Sequence, residues 1–587
     1  MLRNFRRKFS AICDYTIRSH TCDELTAKNI NQKVSVMGWL AFKRMDRFLV
    51  VRDSYGTVQA KLPPQLSSVV KDLPYESVIR IDGKVVDRGE NRNLEMKTGE
   101  IEIEVDELTI LNRASKDIPF LPDGNVQEKT RLKYRYIDLR SQKMQRSLRI
   151  RSEFVHNLRK FLVDQKKFVD VETPTLFRRT PGGAAEFVVP APQPNLGQAY
   201  SLPQSPQQFK QLLMVGGIDR YFQVARCYRD EGSKGDRQPE FTQIDLEMSF
   251  TTQDGIMRLI EEMIVEAWPE NLSHLRPKLP FPRVKYSEVL KNYGSDKPDF
   301  RIPWKIENDQ KGVFGYLKLT DSKDWVARVI VCKNTPKKIP NSVKKEWKRL
   351  IQMNEHGQNF AVCQSTSSKW FKNLENAEII KNFNFNPDSD TLLVSWGPSE
   401  GVNWSLGYLR NYVAEHNELR QKPEVVAHWV VDFPLFSKEN GKMVSTHHPF
   451  TAAIPEHEKM LENETKIDEI TGQHYDLVIN GVEMGGGSIR IHNSDVQKHV
   501  LNLLNEPMEE MTHLIDALSY GAPPHGGFAL GLDRFVALLT SEGNPTTPVR
   551  DVIAFPKTKN GRDLMSDSPA SLDEKQIERY GITLRDK

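Results

Sequence analysis

The strongest constraint on this chain is an alternation of side chains that recurs in widely separated segments. In FTQIDLEMSF, residues 241–250, Ile244, Leu246 and Met248 fall on one side of a strand, and Gln243, Asp245 and Glu247 fall on the other. An apolar face behind a polar face that carries two carboxylates reads as the floor of a site, with a solvated antiparallel strand as the alternative. In NGVEMGGGSIRIHN, residues 480–493, the same division puts Ser488, Arg490 and His492 on one face, opposite Ile489 and Ile491. Gly485, Gly486 and Gly487 would let a ligand approach the backbone closely, although a flexible loop is the ordinary reading of a glycine run. No Lys-Ser or Lys-Thr pair follows them, so they do not form a phosphate-binding P-loop. A third segment, GGFALGLDRFVALL at 526–539, is a Gly-spaced apolar strand running into a helix that begins near Asp533 and Arg534. A guanidinium placed there can clamp phosphate oxygens with two parallel hydrogen bonds. Its alternative is a helix-start charge pair of no chemical importance.

The rest of the 587 residues divides by the period of its apolar positions. Short strand-like runs, VSVMGWLAF, RFLVVRD, TVQAKL, SVIRIDGKVV and EIEIEVDELTI, fill residues 34–110 and predict a small closed barrel, for which an OB-fold is the natural candidate. A Pro-containing stretch, DIPFLPD, marks a linker. The period then changes: Phe154, Val155, Leu158, Phe161 and Leu162 fit one helix face, and a strand FVDVE ends at Pro174. From there to about residue 290 the chain reads as strand-rich. The following segment carries the basic run KNTPKKIPNSVKKEWKR and no catalytic-looking cluster, which predicts an inserted domain. The boundaries are set at 1–20 for a leader, 21–115 for the barrel and 116–135 for the linker. A first catalytic part covers 136–295, the insert 296–425, a second catalytic part 426–556 and a C-terminal extension 557–587.

Charge and cysteine content narrow the classes. Hydrophobic residues make up 38% and charged residues 27%, enough for large cores, and no apolar stretch of roughly 18 residues predicts a membrane span. Five cysteines without a CxxC pair argue for a reducing compartment and against a structural zinc site. The net charge of +4 does not announce a nucleic-acid binder; residues 128–160, with eleven Lys or Arg against three Asp or Glu, are a local basic cluster that could equally be a solvated helical face. The first nineteen residues hold five basic side chains and one acid, with Leu2, Phe5, Phe9 and Ile12 at intervals of three and four. This is the pattern of a mitochondrial targeting segment and points to the mitochondrial matrix; an ordinary basic tail, and a cytoplasmic protein, is the alternative.

Taken together, these segments resemble the class II aminoacyl-tRNA synthetases. RYIDLR, the helix after it and VETPTLF resemble motif 1, which implies a homodimer. Tyr228, Arg229, Asp230 and Glu231, continued by Arg237, Gln238, Pro239 and Glu240, resemble motif 2, and Gly527, Gly531 and Arg534 resemble motif 3. LPQSPQQFKQLLM, FTQIDLE, HHPFT, YDLVINGVEMGGGSIRIH, GLDR and RDVIAFPKT resemble aspartyl-tRNA synthetases of the bacterial and organellar type, from about residue 34 to the end and more loosely within 300–420. The implied fold is an α+β multidomain chain: an N-terminal OB-fold barrel, a class II antiparallel-sheet catalytic domain flanked by helices, and an inserted α+β domain.

The resemblance also implies roles. The enzyme would activate L-aspartate with ATP and Mg²⁺ and charge tRNA(Asp), without membrane insertion. Arg229 would bind the α-phosphate and the substrate carboxylate, and Arg534 the γ-phosphate. Asp230, Glu231, Gln238, Glu483, Gly531, Leu532 and Asp533 would complete the ATP site, and Asp476 and Glu483 would hold Mg²⁺. Lys210 and Arg490 would receive the aspartate side chain, with Asp245 holding the arrangement and Gln207, His447 and His448 lining the pocket. Asparagine would leave two desolvated cations poorly paired, a defect worth roughly 10⁴–10⁵ in selectivity at sites built for a polar group. Phe48, Gln59 and Glu102 would contact the anticodon, although Phe48 could also be a barrel-core residue. One departure stands out: the family's Thr-Pro-Glu-Gly loop reads Thr180, Pro181, Gly182, Gly183 here, and Glu186 is the substitute acid to consider. An asparaginyl- or lysyl-tRNA synthetase is the nearest rival, with Lys210 in QQFKQ and the insert against it. A catalytically dead RNA-binding homologue should have lost the motif arginines or metal carboxylates. Lys442-Met443-Val444-Ser445 faintly resembles the class I lysine loop but has no His-Ile-Gly-His partner, and reads as a strand approach to His447 and His448.

Overall fold

The computed structural model describes residues 13–180, 183–232, 235–308, 325–353, 359–365, 384–439 and 441–584. The proposed leader's apolar positions and the Pro181-Gly182 pair lie outside the described residues. The chain forms two compact units, Met1–Arg146 with Asp563–Ser566, and Ser147–Arg562 with Asp567–Lys587.

In the first unit, β1 (Lys33–Arg44), β2 (Phe48–Arg52), β3 (Thr57–Lys61), β4 (Val78–Asp87) and β5 (Ile101–Asn112) close a barrel in the order β1–β2–β3–β5–β4. The alternation seen in the sequence sends Leu49, Val51, Val58, Ala60, Ile79 and Ile81 inward, where they are fully buried. Closure pairs every strand on both sides, so no edge is left to recruit another chain. Glu76 is buried with its charge matched: Arg52 Nη2 donates to both its oxygens at 2.7 Å, and Arg140 Nη1 adds a bond of 2.9 Å.

The second unit is built on an eight-stranded sheet whose strands come from both sides of the insert. They are β6 (Val169–Asp170), β9 (Arg220–Tyr228), β10 (Glu240–Ser249), β11 (Arg283–Lys285), β16 (Ala427–Val431), β19 (His474–Ile479), β20 (Val482–Ile489) and β21 (His525–Gly531). The order is β11–β16–β19–β20–β21–β10–β9–β6, antiparallel except for the outermost pairs β11–β16 and β6–β9. Behind it, helices Gln142–Lys160, Gln253–Glu266 and Leu532–Thr540 share one core with the sheet, in which Phe154, Ile260 and Leu246 are buried and the Phe154 and Phe535 rings lie 4.7 Å apart.

The expectation of a strand-rich stretch up to residue 290 is corrected. The short hairpin β7 (Val188–Pro190) and β8 (Ala199–Ser201) and the long strands β9 and β10 alternate with helices Gln207–Val215, Gln253–Glu266 and Tyr286–Tyr293. Ile256, Leu259, Ile260, Met263 and Ile264 recur at three and four residues and all bury against the sheet, so packing makes this segment a helix, with Thr252 capping it through Gly255 N–H at 3.2 Å. The strand carrying the glycine triplet also stops earlier than its alternation suggests: β20 ends at Ile489, Arg490 makes an isolated bridge to Thr451, and His492 is exposed beyond it.

Between the halves of this sheet, β12 (Glu307–Asn308), β13 (Trp325–Cys332), β14 (Asn359–Cys363) and β15 (Thr391–Pro398) form a separate sheet in the order β12–β13–β15–β14. Helix Ser399–His416 buries Val402, Leu406, Leu409 and Val413 in a core of its own with it. Lys442-Met443-Val444-Ser445 is β18 (Lys442–Ser445) of a hairpin with β17 (Phe436–Glu439), directly before His447. All five cysteines are free and buried, and no described helix is long and apolar enough to cross a membrane.

Candidate active site

Three strands at the centre of the sheet set out one end of the pocket. Register puts Gly527 of β21 opposite both Glu247 of β10 and Ser488 of β20. A Cβ on Gly527 would fall 1.9 Å from Glu247 Oε2, so the absent side chain is what lets the glutamate lie across the sheet. Lys210, from helix Gln207–Val215, places Nζ 3.2 Å from Asp245 Oδ1 and 3.4 Å from Glu247 Oε2. Arg490 Nε donates to Glu247 Oε1 at 2.9 Å, and its Nη1 donates to Ser488 Oγ at 2.7 Å and contacts His448 Nε2. Lys210, Asp245, Glu247 and Arg490 are each at most 2% exposed. Two buried cations therefore rest on two buried carboxylates, the condition under which such charges are tolerated.

The electrostatics follow from that pairing. Burial would raise the Glu247 carboxyl, yet Arg490 and Lys210 pull it below the usual range. Burial holds Asp245 above its ordinary value despite Lys210, and its Oδ2 is buried without a hydrogen-bond partner. Burial, Arg490 and Lys210 push His448 well down, and its Nδ1 accepts the Phe450 N–H at 3.2 Å while its Nε2 lies against Arg490 Nη1.

A chain of contacts runs from here to a second cluster. His448 and His447 lie 4.4 Å apart by ring centroid, and His447 stacks on His474 at 4.0 Å. His474 Nε2 bonds Asp476 Oδ1 at 2.8 Å. Asp476 on β19 and Glu483 on β20 interact electrostatically, and Gly486 leaves room for Asp476 Oδ1, which a Cβ would approach to 2.5 Å. Burial and Glu483 raise Asp476; burial would raise Glu483 too, but Lys297 and Arg534 hold it low. Arg534 Nη1 donates to the Glu483 carbonyl at 2.9 Å and Nη2 to Asp236 Oδ2 at 3.2 Å. Lys297 Nζ donates to Glu483 Oε2 at 3.2 Å.

The remaining sequence-predicted residues fall into three groups. Arg229, at the end of β9, lays its guanidinium over the Phe241 ring at 5.1 Å and leaves a buried Nε without a partner. Asp230 and Glu231 are exposed beside it, Glu231 paired with Arg237 at 2.9 Å. A second group is engaged in holding the fold. Asp533 Oδ2 accepts the Thr242 N–H at 2.9 Å while Oδ1 takes Arg151, and Leu532 packs in the core after Gly531. Gln238 Oε1 accepts the Lys557 N–H at 2.7 Å, and Gln207 Nε2 donates to Gln211 Oε1 at 3.1 Å. Near the substituted loop, Glu186 Oε1 accepts the Thr180 N–H at 3.1 Å, while Oε2 is buried without a partner.

In the barrel, Phe48 is half-buried and stands outside the core formed by Leu49 and Val51, with Arg44 over its ring at 5.5 Å. Gln59 Nε2 donates to Glu102 Oε2 at 2.7 Å. Glu247 and Ser488 fall on the strand faces that the sequence marks but were given no role there, and His474 and Lys297 were not singled out. Glu247 had a signal, since it shares the face of Asp245; Lys297 had none.

The residues suit a divalent metal brought by a nucleotide. Among the described residues no group of three or more His, Cys, Asp or Glu could hold a metal alone. Asp476 and Glu483 offer two carboxylates, the number that Mg²⁺ usually takes from protein when phosphates supply the rest, and a lysine ammonium already lies against one of them.

Comparison with known proteins places the fold in a family. Residues 127–559 match the family model of tRNA synthetases class II (D, K and N), and residues 34–111 match the OB-fold nucleic acid binding domain. The chain is 44% identical to the mitochondrial aspartate–tRNA ligase of Mus musculus, over 97% of this chain and 90% of that protein. It is 40% identical to the aspartate–tRNA(Asp/Asn) ligase of Methylacidiphilum infernorum, over 97% of each. The crystal structure of asparaginyl-tRNA synthetase from Pyrococcus horikoshii complexed with asparaginyl-adenylate shares the fold at 17% identity, with a TM-score of 0.58 over 92% of this chain and 98% of that one. A barrel of the anticodon-binding kind, a class II sheet and full-length likeness to the ligases lead to one conclusion: the chain belongs to the class II tRNA synthetases, in the family of aspartate–tRNA ligases.

Proposed function

We propose that the pocket joins L-aspartate to ATP as aspartyl-adenylate, releasing pyrophosphate, and then passes aspartate to the 3′-terminal adenosine of tRNA(Asp). The observation that carries this reading is the pair of buried cations, Lys210 and Arg490, anchored on Asp245 and Glu247 at one end of a contact chain that ends at Arg534. Lys210 and Arg490 receive the substrate's side-chain carboxylate. Asp245 Oδ2 and Glu186 Oε2, two carboxylate oxygens buried without hydrogen-bond partners, suit its ammonium.

Arg229 holds the α-carboxylate and the α-phosphate together, so that a carboxylate oxygen attacks phosphorus in line and the bond to pyrophosphate breaks. Charge grows on the phosphate oxygens, where Arg229 and Arg534 stabilise the transition state more than the ground state. Asp476 and Glu483 would hold Mg²⁺, which supplies further positive charge to the phosphates when bound. No side chain acts as nucleophile; alignment does the work. In the second step the terminal ribose hydroxyl attacks the mixed anhydride and the nucleotide leaves as AMP. Asp230, Glu231, Gln238 and the Gly531–Asp533 strand-to-helix junction border the nucleotide, and Gln207, His447 and His448 border aspartate. Phe48, Gln59 and Glu102 meet the anticodon. The protein works as a homodimer in the mitochondrial matrix, a reading supported by the motif 1 resemblance and by its mitochondrial relatives.

The test is pyrophosphate exchange with each amino acid in turn. Aspartate alone should support it strongly, and Arg534→Ala should reduce it by at least a hundredfold while circular dichroism stays unchanged. Exchange retained in that variant would count against the site.

A further inference from the structure

Lys297 comes from the head of the segment read as an insert, 186 residues from Glu483, yet its ammonium lies among the carboxylates of the second cluster. Nζ is 3.2 Å from Glu483 Oε2 and 3.1 Å from Asp296 Oδ2, and it also acts on Asp476 electrostatically. Among the described residues it is the one side chain that donates to the Glu483 carboxylate; Arg534, the other nearby cation, is spent on the Glu483 carbonyl and on Asp236.

We propose that Lys297 is the resident counter-ion of the metal site, holding Glu483 in the free enzyme and releasing it when a divalent cation enters with the nucleotide. This rests on the reading of Asp476 and Glu483 as metal ligands. Two neighbouring carboxylates repel each other, and a cation must balance them while the nucleotide is away. Lysine suits a temporary occupant: its charge is compact, its stem is flexible, and it makes no forked bond that would fix it in place. The side chain is 40% exposed, so it has a route to water, and Asp296 remains as a partner once Glu483 is given up. A bare metal ion must expel this ammonium for few new ligands. A metal–nucleotide gains phosphate oxygens as well, so the lysine reserves the site for metal that arrives with ATP.

Mn²⁺ binding to the full chain without nucleotide, read from the electron paramagnetic resonance signal of free Mn²⁺, tests this. Lys297→Met should bind Mn²⁺ at least tenfold more tightly than the unaltered protein, and Lys297→Arg should stay within about threefold of it. Without metal the methionine variant should melt at a lower temperature, and Mg²⁺ should raise that temperature more than in the unaltered protein. Lys297→Gln carries the same expectation and replaces the methionine variant if that one does not fold. Unchanged or weaker Mn²⁺ binding in the neutral variants, with binding lost in Glu483→Gln, overturns the counter-ion role and leaves the metal assignment standing. Mn²⁺ binding that survives in both Glu483→Gln and Asp476→Asn overturns both. Loss of metal-free ATP affinity in Lys297→Met with unchanged Mn²⁺ affinity makes the lysine a phosphate ligand and overturns the proposal.

Discussion

His428 on β16 is fully buried with neither ring nitrogen hydrogen-bonded, and its ring stacks on Phe300 at 3.8 Å and 16°. Burial lowers its pKa to about 3, against the opposing pull of Asp299. In the unfolded chain an imidazole titrates near 6.5. Between those values only the unfolded state takes up the proton, so stability is full above about pH 6.5 and is lost as pH falls, by about 1.4 kcal/mol per unit until roughly pH 3. His428→Phe keeps the stack and removes the titration. It should unfold at a similar or higher urea concentration at pH 7.5, and lose less stability than the unaltered protein on going to pH 5. Equal losses in the two proteins would show that this ring does not set the acid sensitivity. At this scale the sequence was partly legible. Asp245 could be picked out because it alternates with apolar residues along its strand, whereas Lys210, on a helix, was reached only through the motif resemblance. Lys297 and His428 could not, because one acts on residues 186 positions away and the other looks like any histidine in an apolar strand.

At the scale of elements, the centre of the sheet depends on residues without side chains. Gly527→Ala would set its Cβ 1.9 Å from Glu247 Oε2 and 2.3 Å from the Leu246 carbonyl. Backbone cannot yield easily there, so Glu247 must leave Arg490, at an overpacking cost of about 1–3 kcal/mol. The expected result is a KM for aspartate raised at least tenfold, with a smaller change in the KM for ATP, measured by pyrophosphate exchange. Equal changes in both would mean that the glycine serves the whole sheet and not the aspartate end. Period-two strands were the most legible elements, since each face answers to one environment. Helix Gln253–Glu266 was hidden, because short apolar runs such as Ile264-Val265 fit a buried strand and a buried helix alike until their partners are known. The end of β20 was hidden for a related reason: alternation continues through Ile491 in the sequence, but the continuous strand ends at Ile489.

For the whole molecule, the barrel has a closed core of its own, from Cys22 to Val105. A fragment ending at Arg146 should melt cooperatively, and should bind an anticodon stem-loop of tRNA(Asp) with an affinity that Phe48→Ala lowers by about 5- to 150-fold, the worth of one stacked base. Fluorescence anisotropy measures it, and an unchanged affinity would move the RNA contact elsewhere. The large sheet has no such independence. β10 pairs on one side with β9, made just before it, and on the other with β21, made almost three hundred residues later. A ribosome therefore delivers Lys210, Asp245 and Glu247 long before Arg490, and Arg534 last of all. Until then the strand that carries the carboxylates has an open flank and no guanidinium to neutralise it. A message cut short upstream of helix Leu532–Thr540 therefore yields a chain that lacks Arg534 and leaves β10 without its β21 neighbour.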